Sequence, residues 1–289
     1  LRNADIDAAL TEAKEAYVAR NPRSFARYVE ATAVMPGGNT RTVLFYPPFP
    51  LAMARAEGCR LWDMDGGEYV DFLGEYTAGL YGHSHPVIRD AIDRALDGGI
   101  SMGAHNMLEA KFARAVCDRF GLGRVRFTNS GTEANLLALT LARVFTRRPK
   151  LMAFDGAYHG AVFTFAGGGS PVNAPFPFVL APYNDSFATG ALSEAHGAEL
   201  AAVILEPIPA NAGLYFPKPG FLEELRQLCT AHGTVLIFDE VMTGFRVARG
   251  GAQELYGVTP DLTALGKVIG GGLPVGAFGG QAEIMDRLS

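Results

Sequence analysis

The residue of this chain whose surroundings most clearly indicate chemical reactivity is a lysine in an apolar, glycine-rich stretch. Lys267 lies within LGKVIGGGLPVG (residues 265–276), and no other charged residue occurs between Thr263 and Gly280. Burial in apolar surroundings disfavours the ammonium form of a lysine. The neutral amine is a nucleophile that forms a Schiff base with an aldehyde. A solvated lysine in a glycine-rich loop is the alternative interpretation.

Polar residues follow four short apolar segments that have the composition of buried parallel strands. The segments are residues 124–128, 151–154, 202–205 and 235–238, and helical stretches at 133–146, 187–196 and 221–232 lie between them. This alternation predicts an open α/β sheet with right-handed crossovers. Ligands of such sheets bind beyond the carboxyl ends of the strands, so the residues after each strand are candidates for one site.

The first of these segments is followed by a predicted helix start with two hydroxyl groups. Ser130, Gly131 and Thr132 precede the apolar positions of that helix, for which Leu137, Leu141 and Val144 are the expected buried stripe, as residues 129–146 show. Amide groups at a helix N-terminus together with hydroxyls make a phosphate site. An ordinary N-cap is the alternative interpretation.

The later segments are followed by an aromatic pair and by carboxylates. Tyr158 and His159 lie in a loop bracketed by glycines, where an aromatic ring could cover a flat cofactor, although a core aromatic is the commoner outcome. Asp239 follows a fully apolar strand and needs a partner. A pyridinium N–H is one candidate, and an N-cap role or a salt bridge to Arg246 is the alternative. Glu240 is expected to face away.

A phosphate cradle, a ring-covering aromatic, a carboxylate for a ring nitrogen and an apolar-flanked lysine together describe a site for pyridoxal 5′-phosphate. From about residue 36 to residue 280 the chain resembles the class III aminotransferases of the fold-type I pyridoxal-phosphate enzymes. The matching motifs are NSGTEAN (129–135), GAYHG (156–160), FDEVMTGFR (238–246) and LGK (265–267). The resemblance implies an α/β fold whose mostly parallel sheet is flanked by helices.

The same resemblance implies a role for each matching residue. Lys267 forms the Schiff base and shuttles the substrate proton, and Asp239 holds the pyridinium. Tyr158 and Val241 enclose the ring, and Glu206 lies near the 3′-hydroxyl. The remaining members of the implied cofactor-binding set are Ser130, Gly131, Thr132, His159 and Met242. Homodimerisation is expected by analogy with the family.

Two subgroups of the family compete as the nearest match. MTGFRVA (242–248) and GGGLPVGAFGG (270–280) resemble glutamate-1-semialdehyde aminomutase, whereas NTRTVLFYPPFP (39–50) and EYTAGLYGH (75–83) resemble the β-phenylalanine type of β-amino-acid aminotransferase. The second resemblance makes Arg41 the carboxylate clamp, which suits its bidentate fork, and Tyr76 a substrate residue. A solvated loop arginine is the alternative for Arg41.

The stretch after His159 favours transamination. Residues 161–179 are short and rich in Gly, Pro and Phe, whereas the aminomutase subgroup has a longer gating loop there that retains its intermediate. We therefore expect transfer of an amino group from an amino acid, preferably a β-amino acid, to a 2-oxo acid. The aminomutase reaction is one alternative, and an inactive cofactor-binding fragment is another.

The composition of the chain indicates which partners, which compartment and which metals are expected. The chain has 289 residues, a net charge of −5, three widely spaced cysteines and no basic tract, so neither nucleic acid nor a membrane is an expected partner. The cysteines favour free, buried thiols in a reducing cytoplasm. His83-Ser84-His85 lacks the further ligands of a metal site, so no metal is expected.

The domain prediction has two parts. Residues 1–85 form an N-terminal segment with a long helix (5–34), a substrate loop and a hairpin (60–72), and residues 86–289 form the large cofactor-binding domain. The chain begins with Leu1 and ends at Ser289, whereas family chains continue further. We therefore expect the C-terminal small domain of the family to be absent from this sequence.

Overall fold

The computed structural model describes residues 5–289, so the first four residues of the predicted N-terminal segment lie outside the described range. The chain divides into two compact units. The first contains residues 5–74 and Tyr81–Gly98, and the second contains Glu75–Leu80 and Gly99–Ser289. Residues 75–80, which the sequence interpretation grouped with the N-terminal part, lie in the second unit, and residues 86–98, which it grouped with the cofactor-binding domain, lie in the first.

The first unit combines helices with a small antiparallel sheet. Its elements are α1 (Ile6–Arg20), α2 (Pro22–Thr32), β1 (Met53–Glu57), β2 (Arg60–Asp63), β3 (Glu68–Val70) and α3 (Pro86–Asp97). The single helix predicted over residues 5–34 is wrong, because α1 ends before Asn21 and α2 begins with Pro22 at its first position, where proline has no amide hydrogen to donate. The hairpin predicted over residues 60–72 is confirmed by the pairing of β2 with β3.

The second unit is built on a seven-stranded sheet. Its strands are β4 (Arg124–Thr128), β5 (Lys150–Phe154), β6 (Phe178–Ala181), β7 (Leu200–Leu205), β8 (Val235–Asp239), β9 (Leu262–Leu265) and β10 (Gly276–Gly280), in the order β4-β10-β9-β8-β7-β5-β6. Strand β10 pairs antiparallel with both β4 and β9, and the other pairs are parallel. The predicted α/β class with a mostly parallel sheet is therefore confirmed.

Helices cover this sheet and fix the positions of its strand ends. They are α4 (Glu109–Phe120), α5 (Gly131–Thr146), α6 (Ser186–His196), α7 (Phe221–His232), α8 (Gly251–Tyr256) and α9 (Ala282–Met285). Helix α5 packs on β7, β9 and β10, and α7 packs on β8. Every residue of β7, β8 and β9 is buried, as their continuous apolar sequences predict.

The buried stripe predicted for α5 is only partly right. Leu141 is buried and Leu137 packs partly against the core, but Val144 is 58% exposed. Ala138 and Ala142, which are fully buried, occupy the face towards the sheet instead. Leu139 is also fully buried, so the buried face of the helix includes Ala138, Leu139, Leu141 and Ala142 and leaves Val144 outside.

Two further expectations concern the whole chain. Among residues 5–289, no helix is both long enough and apolar enough to cross a bilayer. All three cysteines are free, but only Cys229 is buried, whereas Cys117 is half-buried and Cys59 is exposed. The expectation of buried thiols is therefore confirmed for Cys229 alone.

Candidate active site

The predicted site residues of the second unit follow the carboxyl ends of neighbouring strands. Asp239 ends β8, Glu206 follows β7 directly, and Lys267 begins a short 3₁₀ turn after β9. Tyr158 and His159 lie in the loop that follows β5. These strands are adjacent in the sheet, so their ends meet at one edge, as the sequence interpretation expected.

Asp239 is the most firmly held polar group of the site. Its side chain is buried, and its Oδ2 lies 2.8 Å from His159 Nδ1 and accepts a hydrogen bond of 2.8 Å from Asn135 Nδ2. Its Oδ1 accepts a hydrogen bond of 3.0 Å from the amide of Val241. The suggested salt bridge to Arg246 is absent from the described contacts, because that guanidinium donates to the carbonyl oxygens of Thr77 and Gly79.

Asn135 is a site residue that the sequence interpretation missed. It lies on α5 and is 1% exposed, and its Nδ2 also donates a hydrogen bond of 3.1 Å to the carbonyl oxygen of His159. It therefore ties Asp239 to the loop after β5. The signal was present in the motif at residues 129–135, because an asparagine on the buried face of an apolar helix needs a partner.

His159 lies behind Asp239 and is not exposed at the surface of the site. Its side chain is 0% exposed, and within the described residues its Nε2 has no hydrogen-bond partner. Tyr158, in contrast, is 40% exposed, which argues against the core-aromatic interpretation of that residue. The two neighbours thus differ in environment: Tyr158 is accessible to a ligand, whereas His159 contacts the carboxylate.

Glu206 is a buried carboxyl group near two charged residues of the site. Burial raises its pKa to about 7. The charge of Asp239 acts in the same direction, whereas His159, the amide of Tyr158 and the ammonium of Lys267 oppose it. The amide of Tyr158 donates a hydrogen bond of 3.4 Å to Glu206 Oε2. Lys267 therefore lies close enough to Glu206 to influence its titration.

The raised pKa of Glu206 predicts how the stability of the ligand-free chain depends on pH. The folded chain keeps a proton that the unfolded chain loses near the ordinary pKa of 4.5, so the contribution of Glu206 is complete below that pH and is lost as the pH rises through about 7. We expect Glu206→Gln, which stays neutral, to become more stable than the wild type as pH rises.

The measurement is the free energy of unfolding in urea for wild type and Glu206→Gln at pH values of about 5 and about 8, on either side of the folded pKa. The difference should grow in favour of Glu206→Gln at the higher pH. Glu194→Gln, which changes an exposed glutamate of α6, should show no such growth. A constant difference between Glu206→Gln and wild type would contradict the assigned environment.

Lys267 is held in an uncommon backbone conformation by a close-packed turn. Its φ is 52°, in the left-handed region that residues with a side chain seldom adopt. It follows Gly266, where an added Cβ would lie 3.1 Å from Val241 Cγ1 and 3.2 Å from the Cα of Gly131. Backbone strain of this kind clusters at functional sites. The lysine turn therefore packs directly on the start of α5 and on Val241.

The N-terminus of α5 is capped reciprocally. Ser130 Oγ accepts a hydrogen bond of 3.2 Å from the amide of Glu133, and Glu133 Oε2 accepts one of 2.9 Å from the amide of Asn129. The N-cap interpretation of Ser130 is thus correct, but the first amides of the helix, at Gly131 and Thr132, are groups that a helix leaves without internal acceptors. They make this end of α5 suitable for an anion.

Glu240, the residue after Asp239, has a structural role. Glu240 is fully buried, and its carboxylate accepts hydrogen bonds from the hydroxyl of Thr243 and, at 2.8 Å each, from the amides of Ala252 and Gln253. Burial raises its pKa. Glu240 therefore fixes the turn after β8 to the start of α8, which agrees with the expectation that it faces away from the ligand.

The predicted substrate residues lie in different units. Arg41 is exposed in the first unit, directly before the short 3₁₀ turn Thr42–Leu44. Tyr76 is half-buried in the second unit and has a φ of 53°. Met242, the remaining predicted cofactor residue, is half-buried in the turn after Asp239. Of the two substrate candidates, only Tyr76 shares a unit with Lys267.

The amino-acid sequence of the chain is similar to those of known enzymes. The chain is 49% identical to the β-phenylalanine transaminase of Variovorax paradoxus over 99% of its length and 66% of that protein. It is 45% identical to glutamate-1-semialdehyde 2,1-aminomutase 2 of Brevibacillus brevis over 92% of its length and 66% of that protein. The chain thus spans just under two thirds of the length of these curated relatives.

Solved structures agree with the fold. The crystal structure of a β-phenylalanine aminotransferase from Variovorax paradoxus superimposes with a TM-score of 0.94 at 50% identity, covering 97% of this chain and 65% of that one. A transaminase with PLP bound superimposes with a TM-score of 0.85 at 38% identity, covering 92% of this chain and 66% of that one. The predicted fold type I is thereby confirmed. Because the model of the aminotransferase class-III family matches residues 45–289, this chain belongs to that family.

Proposed function

We propose that this chain is a pyridoxal-phosphate-dependent aminotransferase that moves the amino group of an amino acid, preferably a β-amino acid, to a 2-oxo acid. The observation that supports this most directly is the convergence of three segments at one edge of the sheet. The Lys267 turn, the start of α5 and the turn after Asp239 pack together around Val241. The 49% identity to a β-phenylalanine transaminase supports the donor class.

The residues of the site fit pyridoxal 5′-phosphate. The first amides of α5, at Gly131 and Thr132, and the hydroxyls of Ser130 and Thr132 would hold the phosphate. An added Cβ at Gly131 would lie 2.7 Å from Val241 Cγ2, so this glycine is needed for the helix end to lie against the valine. Asp239, held by three donors, suits a protonated pyridine nitrogen.

Each remaining residue has a defined task in this proposal. The bound cofactor supplies an electron sink that makes a proton on the carbon bearing the amino group acidic. Lys267 Nζ would accept that proton and would donate it again as the amino group is transferred. Tyr158 and Val241 would enclose the ring, with Met242 beside them, and His159 would orient Asp239 through the contact of its Nδ1 with Oδ2. Glu206 lies towards the 3′-hydroxyl.

A substitution at Gly131 tests the phosphate end of the site. We expect Gly131→Ala to weaken pyridoxal-phosphate binding by about tenfold or more, because the new methyl group must displace Val241 and overpacking of this kind costs about 1–3 kcal/mol. The dissociation constant is measured by titration of the visible absorbance. Gly190→Ala is the matched control, since an added Cβ there meets nothing within 4 Å. Equal affinities in both variants would contradict the assignment.

The loop after His159 supports a transaminase over an aminomutase. Phe163 and Phe165 are buried in the core of the sheet. Thr164 and Asn173 exchange hydrogen bonds, with the amide of Thr164 donating at 2.9 Å and Asn173 Nδ2 donating at 2.8 Å. A segment anchored in this way is poorly suited to act as a gate that retains an intermediate. The aminomutase remains the second candidate because glutamate-1-semialdehyde 2,1-aminomutase 2 of Brevibacillus brevis is 45% identical to the chain.

Arg41 is proposed to bind the carboxylate of the amino donor, with Tyr76 beside the substrate. Arg41 is exposed and presents a planar fork suited to a carboxylate. We expect Arg41→Ala to raise the KM of the donor by about 10- to 100-fold, with cofactor affinity unchanged. Arg94→Ala, at an exposed position of α3, should alter neither quantity. If the wild-type protein has the same KM for donors with a carboxylate and donors without one, the proposal that Arg41 binds the carboxylate is wrong.

We further propose that the protein is a homodimer and that it is located in the cytoplasm. Large apolar side chains are exposed in the stretch before α4, including Ile100 at 87%, Met102 at 57% and Met107 at 94%. Surfaces of this kind mark association sites. The three free cysteines are compatible with a reducing compartment. Sedimentation of the purified protein at several concentrations tests the association.

The absorbance spectrum of the purified protein with pyridoxal phosphate tests the proposed function as a whole. β-Phenylalanine should remove the visible band of the bound cofactor, and 2-oxoglutarate should restore it with formation of glutamate. Conversion of glutamate 1-semialdehyde without an external acceptor, with no response to β-phenylalanine, would favour the aminomutase instead. A band that responds to neither substrate would overturn both activities and leave a cofactor-binding module.

A further inference from the structure

Residues 75–80 form a short segment of the second unit with an uncommon backbone. Glu75, Tyr76 and Thr77 have φ values of 56°, 53° and 70°, which places three consecutive residues with side chains in the left-handed region. Each such residue is disfavoured in isolation and persists only where neighbouring groups hold it. The segment belongs to the second unit, whereas the stretches on either side of it belong to the first.

Arg246, which belongs to the same unit, contacts this segment directly. Its Nη2 donates hydrogen bonds of 3.1 Å to the carbonyl oxygen of Thr77 and 2.8 Å to that of Gly79. One planar nitrogen with two hydrogens therefore bridges two carbonyl groups on either side of Ala78. The amide of Ala78 donates a hydrogen bond of 3.2 Å to the carbonyl oxygen of Glu75, which closes the turn within the segment.

The backbone that carries Arg246 is held in place by its neighbours. The preceding residue, Phe245, also has a left-handed φ of 65°. Its ring packs edge-on against Phe120 at 4.9 Å, and the guanidinium carbon of Arg119 lies 5.4 Å from its centroid. The chain from Asp239 to Arg246 is thus anchored at both ends, at one by the hydrogen bonds of Asp239 and at the other by this aromatic contact.

We propose that Arg246 is a positioning residue that holds residues 75–80 in the shape that presents Tyr76 to the amino donor. The inference rests on the proposed function for the identity of the donor. Arg246 itself touches neither donor nor cofactor in this proposal. It joins the turn that begins with the cofactor carboxylate Asp239 to the segment that recognises the substrate. A guanidinium suits this task because its planar donors are fixed relative to one another and its charge is permanent.

The test compares Arg246→Gln and Arg246→Lys with Arg249→Gln, a change at another exposed arginine of the same turn. Peptide-level hydrogen–deuterium exchange of residues 75–80 is the structural readout, and the cofactor dissociation constant with KM and kcat for β-phenylalanine are the functional ones. For Arg246→Gln we expect exchange and KM each to rise by about tenfold, which corresponds to the loss of a charge-assisted hydrogen bond.

The other quantities distinguish positioning from a general loss of structure. Cofactor affinity and kcat should remain near those of wild type, Arg246→Lys should fall between wild type and Arg246→Gln, and Arg249→Gln should match wild type. Wild-type exchange at residues 75–80 in Arg246→Gln would overturn the inference, as would faster exchange with an unchanged KM. If the wild type binds the cofactor but turns over no donor, the proposed function has failed, and exchange alone decides whether Arg246 holds the segment.

Discussion

Replacement of Lys267 by alanine is expected to lower the rate of amino-group transfer by a factor of about 10⁴ or more, because it removes both the nucleophile and the proton carrier of the site. The fold should persist, since Lys267 is only half-buried and begins a turn at the end of β9. Single-turnover absorbance with β-phenylalanine measures the rate. Borohydride treatment followed by intact mass measures covalent attachment of the cofactor, which should occur in wild type and not in Lys267→Ala.

Two control variants distinguish the effect of the positive charge of Lys267 from the effect of its amine as a nucleophile. Lys267→Arg keeps a cation near Glu206 but provides no neutral amine, so it should be as inactive as Lys267→Ala. Lys111→Ala changes an exposed lysine of α4 and should retain wild-type activity and labelling. Covalent labelling of Lys267→Ala at the wild-type level would show that another lysine is the point of attachment and would refute the assignment.

Replacement of Asp239 by asparagine is expected to lower kcat by about 10³-fold, the range observed when one preorganised electrostatic partner of a reacting group is removed. The amide has no negative charge and cannot keep a ring nitrogen protonated. His159 Nδ1 and Asn135 Nδ2, which both contact Oδ2 at 2.8 Å, would then face a neutral group. We expect cofactor binding to weaken by about tenfold, as for the loss of one charge-assisted interaction.

The measurements for Asp239→Asn are steady-state kinetics at saturating cofactor and a titration of the visible absorbance. Asp155→Asn is the matched control, because Asp155 follows β5 at the same edge of the sheet but is exposed, and its kcat should change by no more than about twofold. If both variants lose activity to the same extent, the effect is one of charge at the sheet edge, and the specific role of Asp239 is wrong.

The central parts of the site were predictable because local sequence patterns determine them. Short continuous apolar segments that alternate with helical stretches are typical of buried parallel strands, so Val235–Asp239 and the polar residue at its end were recognisable from sequence. The isolation of Lys267 among glycines and apolar residues is equally a local property. The general rule that ligands bind at the carboxyl edge of such sheets then predicted that these residues meet.

Other features depend on contacts between residues far apart in the chain, which no local pattern encodes. Strand β10 inserts between β4 and β9 and runs antiparallel to both. The break between α1 and α2 and the exposure of Val144 show that pattern alone also places helix ends and helix faces imprecisely. Packing against distant segments decides the place of β10 and the buried face of α5, whereas the break between α1 and α2 is a local effect of Pro22.

The sequence by itself determined the fold class, the family and the residues that could react. The tertiary structure alone decided which groups support them: that Asn135 and His159 hold Asp239, that Glu240 braces the turn beside it through Ala252 and Gln253, and that Arg246 bridges residues 75–80. The physical reason is that reactive groups are identifiable from residue type and local burial, whereas their hydrogen-bond partners are set by the distances that folding creates.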